Sequence, residues 1–269
     1  MPANYTHYVF GNDVLDVLDA PVKQVITGHL QSFCTGLHGP DLFFYHHPLS
    51  SQSLRTYGSF LHDQPAAPFF LHGAEIVRQT KNDVILSYLF GFICHFVLDC
   101  ACHGYINTYE KQHGVSHAKI EAELDRCFME ETGVDFHTTN SAAHIKKSES
   151  LAEQITPLFE HVNPAQLTEA MASMHRLSEL LTPSSKAKTA LLNGVLSIHP
   201  KTRFVRDMIL SNVPSRKCRM STHHLQNVYQ QSVPQAAAMC LAFFDTVQNN
   251  TPLPDLFFYN YESELKKEN

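Results

Sequence analysis

Three residues raise the chemical question: His95, Asp99 and His103, spaced four apart as His95-x₃-Asp99-x₃-His103. A step of four advances only about 40° around an α-helix, so on a helix the three form one stripe. Their neighbours Phe92, Ile93, Phe96, Val97 and Leu98 are apolar. Polar groups buried on such a helix are costly unless they find partners. Two imidazoles and a carboxylate in register are what a divalent cation accepts as ligands, and metal binding accounts for all three at once. His117-x₃-Glu121 offers a second pair on one helical face, with His113 extending that face as outer support or plain surface. Upstream, Asp41, His62 and His7 are further candidates. By residue type alone His46, His47 and His72 stand level with them.

These residues need helices to hold them, and the sequence reads as helical nearly throughout. Asn12 or Asp13 is expected to cap a first helix that is interrupted near Pro21 and ends around Gly36. A loop of Gly, Pro and aromatic residues, Leu37 to Pro48, follows it. Short helices are predicted around Ser53–His62 and Pro68–Gln79, a long apolar one from about Asn82 to Tyr109, and another from Ser116 to Glu131. Gly133 to Ser141 is the natural division. Beyond it, four or five amphipathic helices are punctuated by prolines, with Pro234 expected to kink or divide the last. The expected architecture is an all-α, single multi-helical domain over 1–269, with a metal-site half (1–131), a helical scaffold half (140–261) and a charged, frayed tail (262–269). The hexapeptide Pro40–Tyr45 recurs letter for letter at Pro254–Tyr259. It is too short to be a repeat architecture; either it reflects similar turn packing or the C-terminal segment returns to the same cleft.

Composition narrows the function classes. A chain of 269 residues, 43% of them hydrophobic, can bury a large core unaided. A net charge of −6 and no dense basic run argue against nucleic acid as a main partner, though a single strand could still reach a metal site. The best basic cluster, Arg216, Lys217 and Arg219, reads as a surface loop. Seven cysteines are an odd number for a disulfide framework. Cys100 and Cys102 are one residue apart and read as small buried hydrophobes. The stretch Val84–Ile106 is long enough to span a bilayer but carries His95, Asp99 and His103. An aspartate at mid-bilayer costs about 2.5–3.5 kcal/mol, so a buried helix with no transmembrane segment is the better reading. Neither a basic n-region nor an apolar h-region follows Met1, and the location expected on these grounds is cytoplasmic.

In order and residue type, the series His7, Asp41, His62, His95-x₃-Asp99, His103, His117-x₃-Glu121 resembles the ligand set of the zinc-dependent phospholipase C family. The related S1/P1-type single-strand nucleases share its helical fold. The likeness covers residues 1–121. It implies one zinc on Asp41, His62 and His95, and a second on His103, His117 and Glu121. Asp99 would link the first zinc to a third, which His7 also holds. Secreted members complete that third site with an N-terminal tryptophan, and this sequence contains no Trp. Their spacing between the residues matching Asp99 and His103 is also longer. Two or three Zn²⁺ are therefore expected. The implied chemistry is hydrolysis of a phosphate ester, a phospholipid or a soluble phosphoester, by in-line attack of an activated water. Asp41 and Asp99 are the catalytic carboxylates, and peripheral membrane contact is an expectation of the lipid case. Phe43, Phe44, Tyr45, Phe69 and Phe70 are candidate walls for the substrate.

Three other readings compete. A nuclease or phosphomonoesterase could use the same site, because substrate choice lives in loops. His62-Asp63 suggests an HD-type metal phosphohydrolase, which leaves His103, His117 and Glu121 unexplained. A non-catalytic zinc protein would fill every coordination position.

Overall fold

The computed structural model describes residues 4–48, 50, 54–199 and 202–264. In chain order the helices are α1 (Asn4–Val17), α2 (Ala20–Gly28), α3 (Leu30–Gly36), α4 (Arg55–Asp63), α5 (Ala67–Thr80), α6 (Asp83–His113), α7 (His117–Glu131), α8 (Glu149–Ile155), α9 (Pro164–Leu181), α10 (Lys186–Ser197), α11 (Arg203–Asp207) and α12 (Arg219–Asn249). Gly39–Tyr45 and Asp255–Phe258 are 3₁₀ helices. The fold is all-α, with no β-strand among the described residues.

The long central helix α6 organises the rest. Asn82 caps it, its side chain accepting the N–H groups of Val84 (2.9 Å) and Ile85 (3.4 Å), and Gly114 ends it at φ 60°. It is the one described helix long and apolar enough to cross a membrane, yet 89% of its most apolar window is buried inside the protein. A helix apolar all round needs neighbours on every side. α3 lies on one side and α12 on another, with α1, α2, α5, α7 and α8 completing the shell. One contiguous core runs from Phe10 through Phe70, Phe92 and Phe96 to Phe243 and Phe257, drawing on both halves of the chain. Cys100 and Cys102 are buried in it, as read from the sequence.

α3 crosses α6 almost backbone to backbone. A Cβ on Gly36 would lie 2.1 Å from the Tyr88 carbonyl oxygen, and one on Gly91 would lie 2.1 Å from that of Phe33. Only glycine permits the approach, and the approach sets the end of α3 over His95.

Three expectations change. α1 begins at Asn4 and runs through Asn12 and Asp13. Its first turn is closed from a distance: Asp125 of α7 accepts the backbone N–H groups of Tyr5 (3.2 Å) and Thr6 (2.8 Å) and the Thr6 hydroxyl (2.7 Å). α12 continues past Pro234. The proline removes one donor, but Val233, Ala236 and Ala237 are buried on either side and packing carries the helix through. The tail does not fray at residue 262. Asn260 ties Glu262 and Glu264 back through its side-chain oxygen, and Ser263 hydrogen-bonds to the Cys100 carbonyl. Residues 265–269 of that expected tail lie outside the described residues.

Candidate metal centre

α6 carries His95, Asp99 and His103 on one buried stripe. His95 Nε2 lies 3.1 Å from Asp99 Oδ2, and His103 Nε2 lies 3.7 Å from Asp99 Oδ1. α4 brings His62, whose Nε2 is 3.1 Å from Asp41 Oδ1 and 3.8 Å from Asp99 Oδ2. Asp41 comes from the 3₁₀ helix after α3, where Gly39 at φ 45° packs so closely on the His95 ring that a Cβ would sit 2.4 Å from it. α1 supplies His7, with Nε2 3.3 Å from Asp99 Oδ1 and its ring stacked on His95 at 4.4 Å. α7 supplies Glu121, 3.0 Å from His117 Nε2 and 3.7 Å from His103 Nε2.

These eight side chains form three groups, each with ligand atoms within 4.8 Å of one another: Asp41, His62 and His95; His103, His117 and Glu121; His7, His95 and Asp99. His95 appears in two of them. One Nε2 serves one ion, so if His95 goes with Asp41 and His62, the remaining pair is His7 and Asp99.

Hydrogen bonding on the far side of the rings tests whether a cation fits. His62 Nδ1 faces the Gly58 carbonyl at 2.8 Å, and His95 Nδ1 faces that of Leu37 at 3.2 Å. A carbonyl only accepts, so in the neutral ring Nδ1 bears the proton and Nε2 keeps its lone pair. That lone pair is turned toward carboxylate oxygens. Buried His95 Nε2, Asp99 Oδ2 and His103 Nε2 find no hydrogen-bond partner. Acceptors face acceptors across about the span of a coordinated ion, and a shared cation resolves the arrangement. Nitrogen and carboxylate oxygen donors, three to a group, suit zinc with a position left open.

The charges respond to one another. Burial pushes the Asp99 carboxyl upward, but the charges of His103 and His95 beside it, with His7 close by, hold it well below the usual range. Burial disfavours protonated His103, yet Asp99, Glu121 and Glu262 together raise it well above an ordinary histidine. His7, lacking enough opposing charge, is lowered by burial and by His95.

A cavity of about 320 Å³ opens onto this cluster, bounded by Asp41, His62, His103 and His117 with Phe44, Asp63, Phe204 and Glu262. Of the five aromatic residues expected as substrate walls, only Phe44 faces it. Phe43 and Phe70 are fully buried, Tyr45 is buried with its hydroxyl donating to Asn4, and Phe69 stacks on Phe92. Asp63 stands at the rim, outside all three groups. His46 and His47 pack on each other elsewhere, His72 meets the Pro157 carbonyl, and exposed His113 stacks on Tyr109.

The second half of the chain contributes more than scaffold. Phe204 of α11 reaches the cavity, and the segment after α12 crosses the site as a strap. In that strap the Tyr261 N–H donates to the His62 carbonyl, Tyr259 accepts from Ala66, and the Tyr261 ring packs on His62 and His95. Glu262 Oε1 then stands 3.4 Å from His103 Nδ1, while Asn107 donates to its other oxygen. Reading residues 262–269 as a solvated tail misses Glu262. The available signal was the recurring hexapeptide, whose second copy ends three residues earlier and adopts the same 3₁₀ turn as the first.

A family model described as zinc dependent phospholipase C matches residues 6–173. No curated protein and no solved structure matches the chain.

Proposed function

The chain belongs to the zinc-dependent phospholipase C family, and from that premise we propose that it hydrolyses phosphate esters, with a phospholipid phosphodiester as substrate. The observation that carries this reading is the cavity, which opens onto residues of two separate ligand groups. A site built to hold metal for structure alone has no need of such an opening.

Asp41, His62 and His95 would hold one zinc, His103, His117 and Glu121 a second, and Asp99 with His7 a third. Bound zinc supplies Lewis acidity toward phosphoryl oxygens and lowers the pKa of water. Asp99 joins the groups, since its two oxygens face His7 and His103 on one side and His95 and His62 on the other. Asp41 lines the cavity, and its carboxylate is the proton acceptor for the attacking water. No Lys or Arg is among the described residues lining the cavity, so zinc held by the histidine and carboxylate cage would balance the phosphate charge. Phe44 and Phe204 give the cavity apolar walls for the glycerol side of a lipid. A cytoplasmic location is part of the proposal, on the odd count of seven cysteines and the N-terminal composition.

Metal content per chain, by plasma mass spectrometry on untagged protein, is measured together with headgroup release from short-chain phosphatidylcholine and with cleavage of single-stranded DNA. Two or three zinc equivalents, lost together with lipid turnover in Asp99→Ala, are expected. Cleavage of DNA alone would move the assignment to a nuclease, and zinc without turnover would make it a non-catalytic zinc protein.

A further inference from the structure

α10 is built differently from every other long helix of the protein. None of its residues is buried, and it packs chiefly against the short helix α11. Along one side of it the exposed positions Ala187, Ala190, Leu191, Gly194 and Val195 are continued one turn on by Ile198, with exposed Lys186 and Ser197 at the edge of that row. The row from Ala187 to Ile198 follows the i, i+3, i+4, i+7 spacing of one helical face. Leu191 is 68% exposed, Val195 55% and Ile198 81%, so this is a continuous apolar stripe rather than scattered exposed residues.

The charge around the stripe is as one-sided as its polarity. Residues 186–206 hold Lys186, Lys188, Lys201, Arg203 and Arg206 and no acid. From 180 to 244 there are eight basic residues and a single acid, Asp207, in a chain whose net charge is −6. The rest of the protein is correspondingly acidic. An apolar helical face on a helix that carries Lys186 and Lys188, in a segment poor in acids, suits the plane of an anionic membrane, with its apolar side chains in the acyl boundary.

α10 packs on α11, and Phe204 of α11 lines the catalytic cavity with His103 and His117, while Arg55 of α4 stands 5.5 Å over the Phe204 ring. We propose that the α10–α11 hairpin docks the protein on an anionic phospholipid surface, laying the Leu191, Val195 and Ile198 face into the lipid and presenting the cavity mouth to it. The proposal rests on the reading of the site as a phospholipid hydrolase. It adds the interfacial element, which lies beyond the residues matched to the family.

The test is cosedimentation of the zinc-supplemented full chain with sucrose-loaded vesicles of phosphatidylcholine alone and of phosphatidylcholine mixed with phosphatidylglycerol. Two variants accompany it: Leu191→Ser with Val195→Ser and Ile198→Ser, and Lys186→Gln with Lys188→Gln and Arg203→Gln. Thermal unfolding and hydrolysis of a water-soluble phosphodiester serve as controls, and neither should change. Wild type should bind the anionic vesicles, and the apolar variant should bind them on the order of 100-fold more weakly. The charge variant should lose roughly 100-fold on anionic vesicles only. Wild type remaining in the supernatant, or the apolar variant binding as wild type does, overturns the proposal. So does a wild-type dimer that the serine variant dissolves while vesicle binding is unmoved, because the stripe would then be covered by a second copy. Vesicle binding without turnover on any phosphoester would remove the hydrolase reading and leave the docking face standing.

Discussion

Replacing Glu262 tests whether the strap helps to build the metal centre. Its Oε1 stands 3.4 Å from His103 Nδ1, and Asn107 holds the other oxygen. With Nδ1–H turned toward a carboxylate, His103 directs its Nε2 toward Glu121 and Asp99. The Glu262 side chain is 31% exposed, so as a screened ion pair it contributes only about 0–1 kcal/mol. Loss of a carboxylate that orients a ligating histidine costs more, about 10–100-fold in metal affinity, or roughly 1.4–2.7 kcal/mol. Orientation should therefore outweigh charge. Glu262→Ala removes both, while Glu262→Gln removes the charge but keeps an oxygen able to accept from Nδ1–H. Titration of zinc against a competing fluorescent chelator should show one equivalent weakened about 10–100-fold in Glu262→Ala and less than about tenfold in Glu262→Gln, with the other equivalents unmoved. If Glu262→Ala leaves every equivalent within about twofold of wild type, the strap does not position His103 and the reasoning is wrong.

Three further substitutions probe the frame. Gly91→Ala drives a Cβ to 2.1 Å from the Phe33 carbonyl oxygen and should cost at least about 3 kcal/mol in urea unfolding, whereas Gly104→Ala, exposed on the same helix with nothing within 4 Å, should stabilise by roughly 0.5–1 kcal/mol; a loss below about 1 kcal/mol at Gly91 would contradict the α3–α6 crossing. Asp125 is pushed up to about 6 by burial, against the hydrogen bonds from Thr6 and Tyr5. For an acid raised in the folded state, the stability is fully present below the ordinary aspartate value near 3.8 and is lost as pH rises through about 6, a swing of roughly 3 kcal/mol. In chelator-treated protein, wild type should therefore lose stability relative to Asp125→Asn between those pH values, and parallel curves would show that Asp125 does not titrate there.

The α6 stripe was legible because its evidence is local. Ligand spacing, helical period and apolar context all lie within one run, and His117-x₃-Glu121 repeats the logic one helix later. His7, Asp41 and His62 sit on three different elements, and no local pattern relates them; only their order within a known ligand series picked them out over His46, His47 and His72. The start of α1 was illegible for the same reason, since its capping carboxylate, Asp125, is 119 residues away from the Thr6 N–H that it accepts. The aromatic walls were misjudged because a 3₁₀ helix turns consecutive residues to different sides, sending Phe43 into the core and Phe44 to the cavity. Phe204 and Glu262 lie in charged, proline-flanked sequence that reads as surface, and only the tertiary fold turns them inward.

The position of the ligands ties the site to completion of the fold. α6 can present its stripe only when α3 has closed over Gly91, because that contact brings the Leu37 carbonyl to His95 Nδ1. His7 arrives only when α7 has fastened the first turn of α1 through Asp125. The strap reaches His62 and His103 only after α12 has packed along α6. Each contact joins segments far apart in sequence, so the full ligand set exists only in the packed fold. Until a cation arrives, lone pairs and carboxylates face one another in a buried space, and the same side chains that destabilise the empty fold supply the affinity for metal. Ion binding therefore stabilises the packed state by mass action, and the helix that looks from its composition like a membrane span is instead the beam on which folding and metal binding become one equilibrium.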